Sequence, residues 1–225
     1  MGSAVEIDDG SFLCAGSTQF NTDDLPSPDE DKVKLFRLAP NGTLMWDTLL
    51  TPTECGALAV SQIQSIGNDE FLINGWSGGS STEVDYNFPN FMMRINLYGE
   101  VLQFYQWDFE HANLESYPIK KAEDEYMVAW TDCYDPIYLQ GDGLRKVYLR
   151  KFDLLNEWVL WDHEMEYEFD NPVITDFIAT PDSGYAISGY DVYLDGYGQY
   201  HSFIVKADSL GNSEWMNGII SKMTP

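Results

Sequence analysis

Short apolar runs recur along this chain, separated by clusters of Gly, Asn, Asp and Ser. Runs of that length, rich in β-branched and aromatic side chains, read as strands. No segment carries a capped apolar stripe of helical period. One pattern occurs four times: an acidic or glycine-bearing turn, then an apolar strand opened by an aromatic. Its copies are Asp8-Asp9-Gly10-Ser11-Phe12-Leu13-Cys14-Ala15-Gly16 and Asn68-Asp69-Glu70-Phe71-Leu72-Ile73-Asn74-Gly75. Glu123-Asp124-Glu125-Tyr126-Met127-Val128-Ala129-Trp130 and Asp182-Ser183-Gly184-Tyr185-Ala186-Ile187-Ser188-Gly189 complete the set. The opening aromatics Phe12, Phe71, Tyr126 and Tyr185 are spaced by 59, 55 and 59 residues.

A second pattern follows the first in each copy: a strand, a tight turn, and a strand carrying an aromatic. It runs from Val33 to Trp46 around Pro40-Asn41-Gly42, and from Met92 to Phe104 around Tyr98-Gly99. It returns from Leu149 to Trp161 around Leu155-Asn156, and from Ile204 to Trp215 around Leu210-Gly211. A basic residue holds one place in every copy: Arg37, Arg94, Lys151 and Lys206, spaced 57, 57 and 55. An inner strand precedes each turn. It reads Val173 to Ala179 in the fourth copy, Leu58 to Ile66 in the second, Tyr117 to Lys121 in the third, and a stub, Ala4 to Ile7, in the first. Four strands at a period near 57 fit the blades of a β-propeller, in which each sheet buries its faces against its neighbours. The expected fold is an all-β propeller of four four-stranded blades, either a complete ring or part of a larger one. We read a single domain with repeats 1–57, 58–115, 116–171 and 172–225.

These residues resemble a known pattern. The fourth copy, Asp182 to Gly189 followed by Phe203-Ile204-Val205-Lys206-Ala207-Asp208-Ser209-Leu210-Gly211-Asn212-Ser213-Glu214-Trp215, is similar to the DGGYIVAG…WIVKLDSNGNLLW repeats of secreted bacterial proteins, notably from Bacteroidetes. The second copy departs from the pattern, with Gln103-Phe104 where Trp is expected, and the third lacks the turn glycine. The resemblance implies a propeller-like fold and an extracytoplasmic, surface-associated role. It implies no activity, because one fold hosts many functions.

Charge narrows the partners. The 225 residues carry 37 acidic and 12 basic side chains, a formal charge of -25. Such a field repels phosphate backbones and acidic membrane surfaces, which excludes nucleic acid as a partner. With 44% hydrophobic and 15% aromatic residues, the chain has ample material for a core. No apolar run is long enough to cross a bilayer as a helix, so membrane insertion is not expected. Cys14, Cys55 and Cys133 form no CxxC pair, and His111, His163 and His201 are scattered, so no zinc site is read. Cys14 reads as a small core residue, whereas Cys55 and Cys133 lie in loop-like sequence and are able to pair only if the fold brings them together. The start, Met1-Gly2-Ser3-Ala4, lacks a signal peptide's charged and apolar regions. It reads as a cloning remnant, and we expect a piece of a longer, secreted protein. The sequon Asn41-Gly42-Thr43 falls in a tight turn, and we assign it no role.

The candidate chemistry lies in long connections. Alternating strands send the second-to-third loops and the repeat-to-repeat connections to one face. The former are expected at Ser17 to Asp31, Trp76 to Asn90, Thr131 to Lys146 and Tyr190 to Ser202. The latter are expected at Thr51 to Ala57, Asp108 to Ser116 and Asp162 to Asn171. Rigid scaffolds carry function on such loops. Acids and aromatics mix there: Trp76, Asp132, Tyr134, Asp135, Asp142, Tyr190, Asp191, Tyr193 and Asp195 are the candidate ligand-binding residues, with Asp176 on an inner strand. Aromatic faces beside carboxylates suit sugar rings, whose CH faces stack while their hydroxyls bond to the acids. The plainer alternative has tyrosines tiling the loop bases and the acids simply solvated. Hard-cation binding is the second option for these loops, since Ca²⁺ takes clustered carboxylates and carbonyls, although nothing matches an EF-hand loop; no other cofactor is assigned.

A glycosidase needs two carboxylates at a controlled separation in one pocket. Asp176 with Asp132 or Asp191 is the pair on which that alternative rests. There is no GxSxG, HExxH, Walker or dinucleotide fingerprint. The four basic residues in register read as structural partners of blade carboxylates rather than as an anion site. The expected function is non-catalytic recognition of a protein or glycan at the cell surface. A glycan-processing enzyme and an architectural subunit of a surface assembly are the alternatives.

Overall fold

The computed structural model describes residues 2–18, 32–50, 58–77, 90–107, 117–120, 125–131, 145–156, 158–169, 172–193 and 199–220. They form sixteen strands in four antiparallel sheets, each ordered first to fourth strand as in the sequence. Sheet A comprises β1 (Gly2–Glu6), β2 (Phe12–Ser17), β3 (Val33–Leu38) and β4 (Leu44–Leu50). Sheet B comprises β5 (Leu58–Gly67), β6 (Glu70–Ser77), β7 (Asn90–Asn96) and β8 (Val101–Trp107). Sheet C holds β9 (Tyr117–Lys120), β10 (Glu125–Thr131), β11 (Arg145–Asp153) and β12 (Trp158–Phe169). Sheet D holds β13 (Pro172–Ala179), β14 (Tyr185–Tyr193), β15 (Gln199–Ala207) and β16 (Ser213–Ile220). The protein is all-β and consists of four four-stranded blades of the propeller type. By contacts it divides into two compact units, Met1–Glu110 and His111–Pro225, each holding two consecutive sheets.

Among the described residues one hairpin turn is used five times. In the first instance Gly10 N donates to Ile7 O at 2.8 Å and Ile7 N to Ser11 O at 2.8 Å, with Gly10 at φ 79°. This is a type I turn closed by a left-handed residue, a geometry that matches strand twist and favours glycine. Gly42, Gly99 and Gly211 take the same place at φ 82°, 81° and 90°. In the fifth copy Ser183 occupies it at φ 70°, a strained conformation for a residue with a β-carbon.

Alternation gives each blade two apolar faces. One, the aromatic face, carries the opening aromatic; the other, the basic face, carries Arg37, Arg94, Lys151 or Lys206. In the first unit the core joins Leu13, Ala15, Val33 and Leu35 from the basic face of sheet A to Phe71, Ile73, Met93 and Ile95 from the aromatic face of sheet B. In the second, Met127, Ala129, Val147 and Leu149 of sheet C meet Tyr185, Ile187, Phe203 and Val205 of sheet D. The two cores therefore have one plan, basic face onto next aromatic face. At about 25 cal/mol per Å² of apolar surface buried, these faces are the main source of stability. Cys14 is a buried free thiol, as its apolar run predicts, and burial pushes its pKa up.

Two expected connections are strand instead. β12 extends to Phe169, so Asp162 to Phe169 does not belong to the repeat-to-repeat connection. Its acids Asp162, Glu164 and Glu166 alternate with Trp161, Met165, Tyr167 and Phe169, which pack into the core. Half-buried strands alternate in this way, and the acids on the open face made the segment read as loop. Likewise β14 runs to Tyr193 and β15 begins at Gln199, so the fourth repeat's long loop is short.

Candidate functional site

Antiparallel order sends the tight hairpins of each sheet to one end and its long connections to the other. At the hairpin end each of the in-register cations has a structural partner. Arg37 Nη2 meets Asp9 Oδ2 at 2.6 Å while its Nε donates to Ser11 Oγ at 2.9 Å. Arg94 Nη2 lies 2.6 Å from Glu70 Oε2, and Lys151 Nζ lies 2.6 Å from Glu125 Oε2. Lys206 Nζ sits 3.0 Å from both Asp182 Oδ2 and Glu214 Oε2, and donates to Ala207 O at 3.1 Å. Each repeat thus ties its third strand to the turn that opens its second. These cations are on third strands and are matched by carboxylates, which fits the structural reading rather than an anion site.

The turn acids are held ionised. Asp182 is well below the usual carboxylate range, because Thr180 Oγ1, Lys206 and the Gly184 amide donate to it. Asp9 is lowered chiefly by Ser11, Asp153 and Asp208 by the asparagines that close their turns, Asn156 and Asn212. Lys206 is raised mainly by its hydrogen bond to Asp182.

Asp132, Tyr134, Asp135, Asp142 and Asp195, together with Cys55 and Cys133, lie outside the described residues. Trp76 is half-buried near the end of β6, its backbone paired with Ala59 and Asn90. Tyr190, Asp191 and Tyr193 belong to β14 rather than to a loop, a correction to their expected setting. Asp191 is buried opposite His201.

Asp176 lies exposed at a bulge in β13, opposite Ser188, with Oδ1 accepting from Phe177 N at 2.9 Å. Ser188 and Asp191 are three residues apart on one strand, so they project to opposite faces. Asp176 and Asp191 therefore cannot form the paired carboxylates of a glycosidase pocket, and the two-acid alternative loses that partner. Among the described residues, no group of three or more His, Cys, Asp or Glu is arranged to hold a metal ion. No helix among them is long and apolar enough to cross a membrane.

Sheet D also bears a concavity that the residues did not announce. It is a half-open trough of about 310 Å³ on the exposed basic face, lined by Thr175, Ser188, Ser202, Ile204 and Asn217, with Phe203 and Gly189 at its floor.

No family model matches the chain, and no curated protein matches it. Solved structures do. A point mutant of Synechocystis apocarotenoid oxygenase aligns over 98% of this chain and 49% of its own, at 10% identity and a TM-score of 0.53. A chimera of that oxygenase with RPE65 aligns over 94% of this chain and 46% of its own, at 9% identity and a TM-score of 0.50. At such identities the likeness is one of fold alone. The chain spans about half the length of these structures.

Proposed function

We propose that this chain is a non-catalytic, extracytoplasmic recognition module that binds a protein or glycan at a cell surface through its acidic, aromatic connections. Charge segregation is the observation that supports this reading. The connections 19–31, 51–57, 78–89, 108–116, 132–144, 170–171 and 194–198 carry sixteen of the 37 acids and none of the twelve Lys or Arg. Most of the basic residues stand in strands, and those in register at the hairpin ends are matched by carboxylates. An unbalanced set of like charges attracts basic protein surfaces over roughly a Debye length, about 8–10 Å at ordinary ionic strength. Tyr134, Tyr138 and Tyr86 in the same connections supply flat faces for sugar rings or basic side chains.

The test combines binding with turnover. The purified chain is applied to a glycan array and to a panel of surface proteins of differing charge, and retained glycans are then analysed for products. Binding without product supports the reading. Hydrolysis that is abolished by Asp176→Asn overturns it in favour of a glycan-processing enzyme.

A further inference from the structure

In sheet B the row of residues nearest the connections departs from the same row in the other sheets. Asn90 opens β7, and register pairs it with Trp76 of β6 on one side and with Trp107, the last residue of β8, on the other. In sheet A the row is Ser17, Val33 and Leu50. In sheet D it is Tyr190, Ser202 and Ile219, and in sheet C Val147 stands opposite Thr131. The place four residues before each in-register cation is therefore Val33, Asn90, Val147 and Ser202. Val33, Asn90 and Val147 are each exposed by 0%. A buried position that takes valine in two sheets thus takes an amide in a third.

That amide is unused within the chain. Among the described residues, neither Nδ2 nor Oδ1 of Asn90 has a hydrogen-bond partner. Strand alternation puts Asn74 on the face of Trp76 and Asn90, and register sets Gln62 of β5 opposite Asn74. Gln62 Oε1 is buried and has no partner among the described residues either. A buried amide without a partner costs stability, and an apolar side chain of similar size removes that cost. Violations of this kind collect at functional sites. The chemistry beside it is that of a sugar site: the amide offers two donors and an acceptor, and the half-buried Trp76 offers an apolar ring. The connections 78–89 and 108–116, which adjoin the row in the chain, bring Glu83, Asp85, Tyr86, Asp108 and Glu110 and no Lys or Arg.

We propose that Asn90 and Trp76 form a subsite for a neutral glycan at the foot of these two connections. The Asn90 amide exchanges hydrogen bonds with sugar hydroxyls while the Trp76 indole covers the CH face of the ring. Acids unaccompanied by cations in the adjoining connections repel sugars that carry a carboxylate or sulfate, which leaves neutral ones. This inference rests on the recognition role proposed above, and names its ligand class and two of its residues. The row is set by strand register within one sheet.

A printed array of neutral and acidic oligosaccharides, with a panel of surface proteins as a second arm, tests this on the whole chain. Asn90→Val gives sheet B the residue that sheets A and C hold at the same place. It raises the melting temperature by about 2–4 °C, and lowers retention on neutral oligosaccharides by about ten-fold or more. Trp76→Ala loses retention on the same oligosaccharides. A valine variant that melts lower than wild type or fails to fold overturns the proposal, because the amide then has a structural partner. Unchanged retention of neutral oligosaccharides by either variant overturns it too. A wild type that retains proteins alone, or acidic oligosaccharides alone, overturns the subsite and leaves the recognition role standing. Retention of nothing overturns both.

Discussion

Leu35 and Leu149 hold the same repeat position as Ile204, yet the first two are sealed in blade interfaces and the third is not. This makes a test of the packing plan in which chemistry is nearly constant and only the neighbour changes. Leu→Ala removes three carbons, worth about 2.4 kcal/mol at ~0.8 kcal/mol each. A rigid interface leaves a cavity, which brings the cost to about 2.5–5 kcal/mol. Ile204→Ala leaves a position that water already reaches, so its cost is about 1 kcal/mol or less. Urea unfolding reads these values as midpoints. With a slope of about 3 kcal/mol/M, Leu35→Ala and Leu149→Ala each lower the midpoint by about 1 M or more, and Ile204→Ala by about a third of that or less. Equal losses at all three positions would refute the assignment of buried and open faces.

Other predictions follow from single sites. Gly75→Ala forces a β-carbon into the Ala59 carbonyl of the neighbouring strand and against Phe91 Cε1 at 3.1 Å. Because a strand must move, thermal unfolding reports a loss of about 1–3 kcal/mol. Ser183→Gly relieves the left-handed strain in its hairpin and raises stability by about 0.5–1 kcal/mol in the same assay. Asp182→Asn lowers stability at neutral pH. The wild-type carboxylate is depressed from its ordinary 3.8, so its contribution is complete above that value and fades as pH falls. Melting curves of the two proteins therefore converge in acid. On the alkaline side, the share due to Lys206, whose pKa is raised above the ordinary 10.5, is lost as pH climbs past its folded value.

Much of the fold was legible because the repeat amplifies weak signals. A single short run such as Ala4 to Ile7 is ambiguous, but its register with Leu58, Tyr117 and Val173 identifies it as an inner strand. The basic residues were legible as structural for the same reason: four in register on third strands, each beside a turn acid. Segments with a second, polar pattern were not legible. In β12 the acids between Trp161 and Phe169 read as loop, although the alternation is that of a strand with one wet face. Tyr190 to Tyr193 misled in the same way.

The candidate site was legible in composition and not in geometry. Asp176 and Asp191 both read as ligand acids, but the face of a strand that a residue occupies depends on register and bulges, and a bulge lies beside Asp176. The seat of each tryptophan on the next blade's glycine was not seen because it joins residues of different repeats. Only folding brings Trp46 Cη2 within 3.5 Å of where a β-carbon on Gly99 would stand, and Trp161 Cη2 within 2.8 Å of one on Gly211.

Recognition by the connections, and not by the hairpin ends, is the central functional claim. The measurement that addresses it most directly is a binding titration at low and high salt with a glycan or protein retained in the screen. It compares wild type with Asp132→Asn/Asp135→Asn/Asp142→Asn and with a control neutralised at the hairpin end, Asp8→Asn/Asp69→Asn. Weaker binding and a shallower salt dependence are predicted for the first variant, with wild-type behaviour for the second. Wild-type binding by the first variant and loss in the second would contradict the claim.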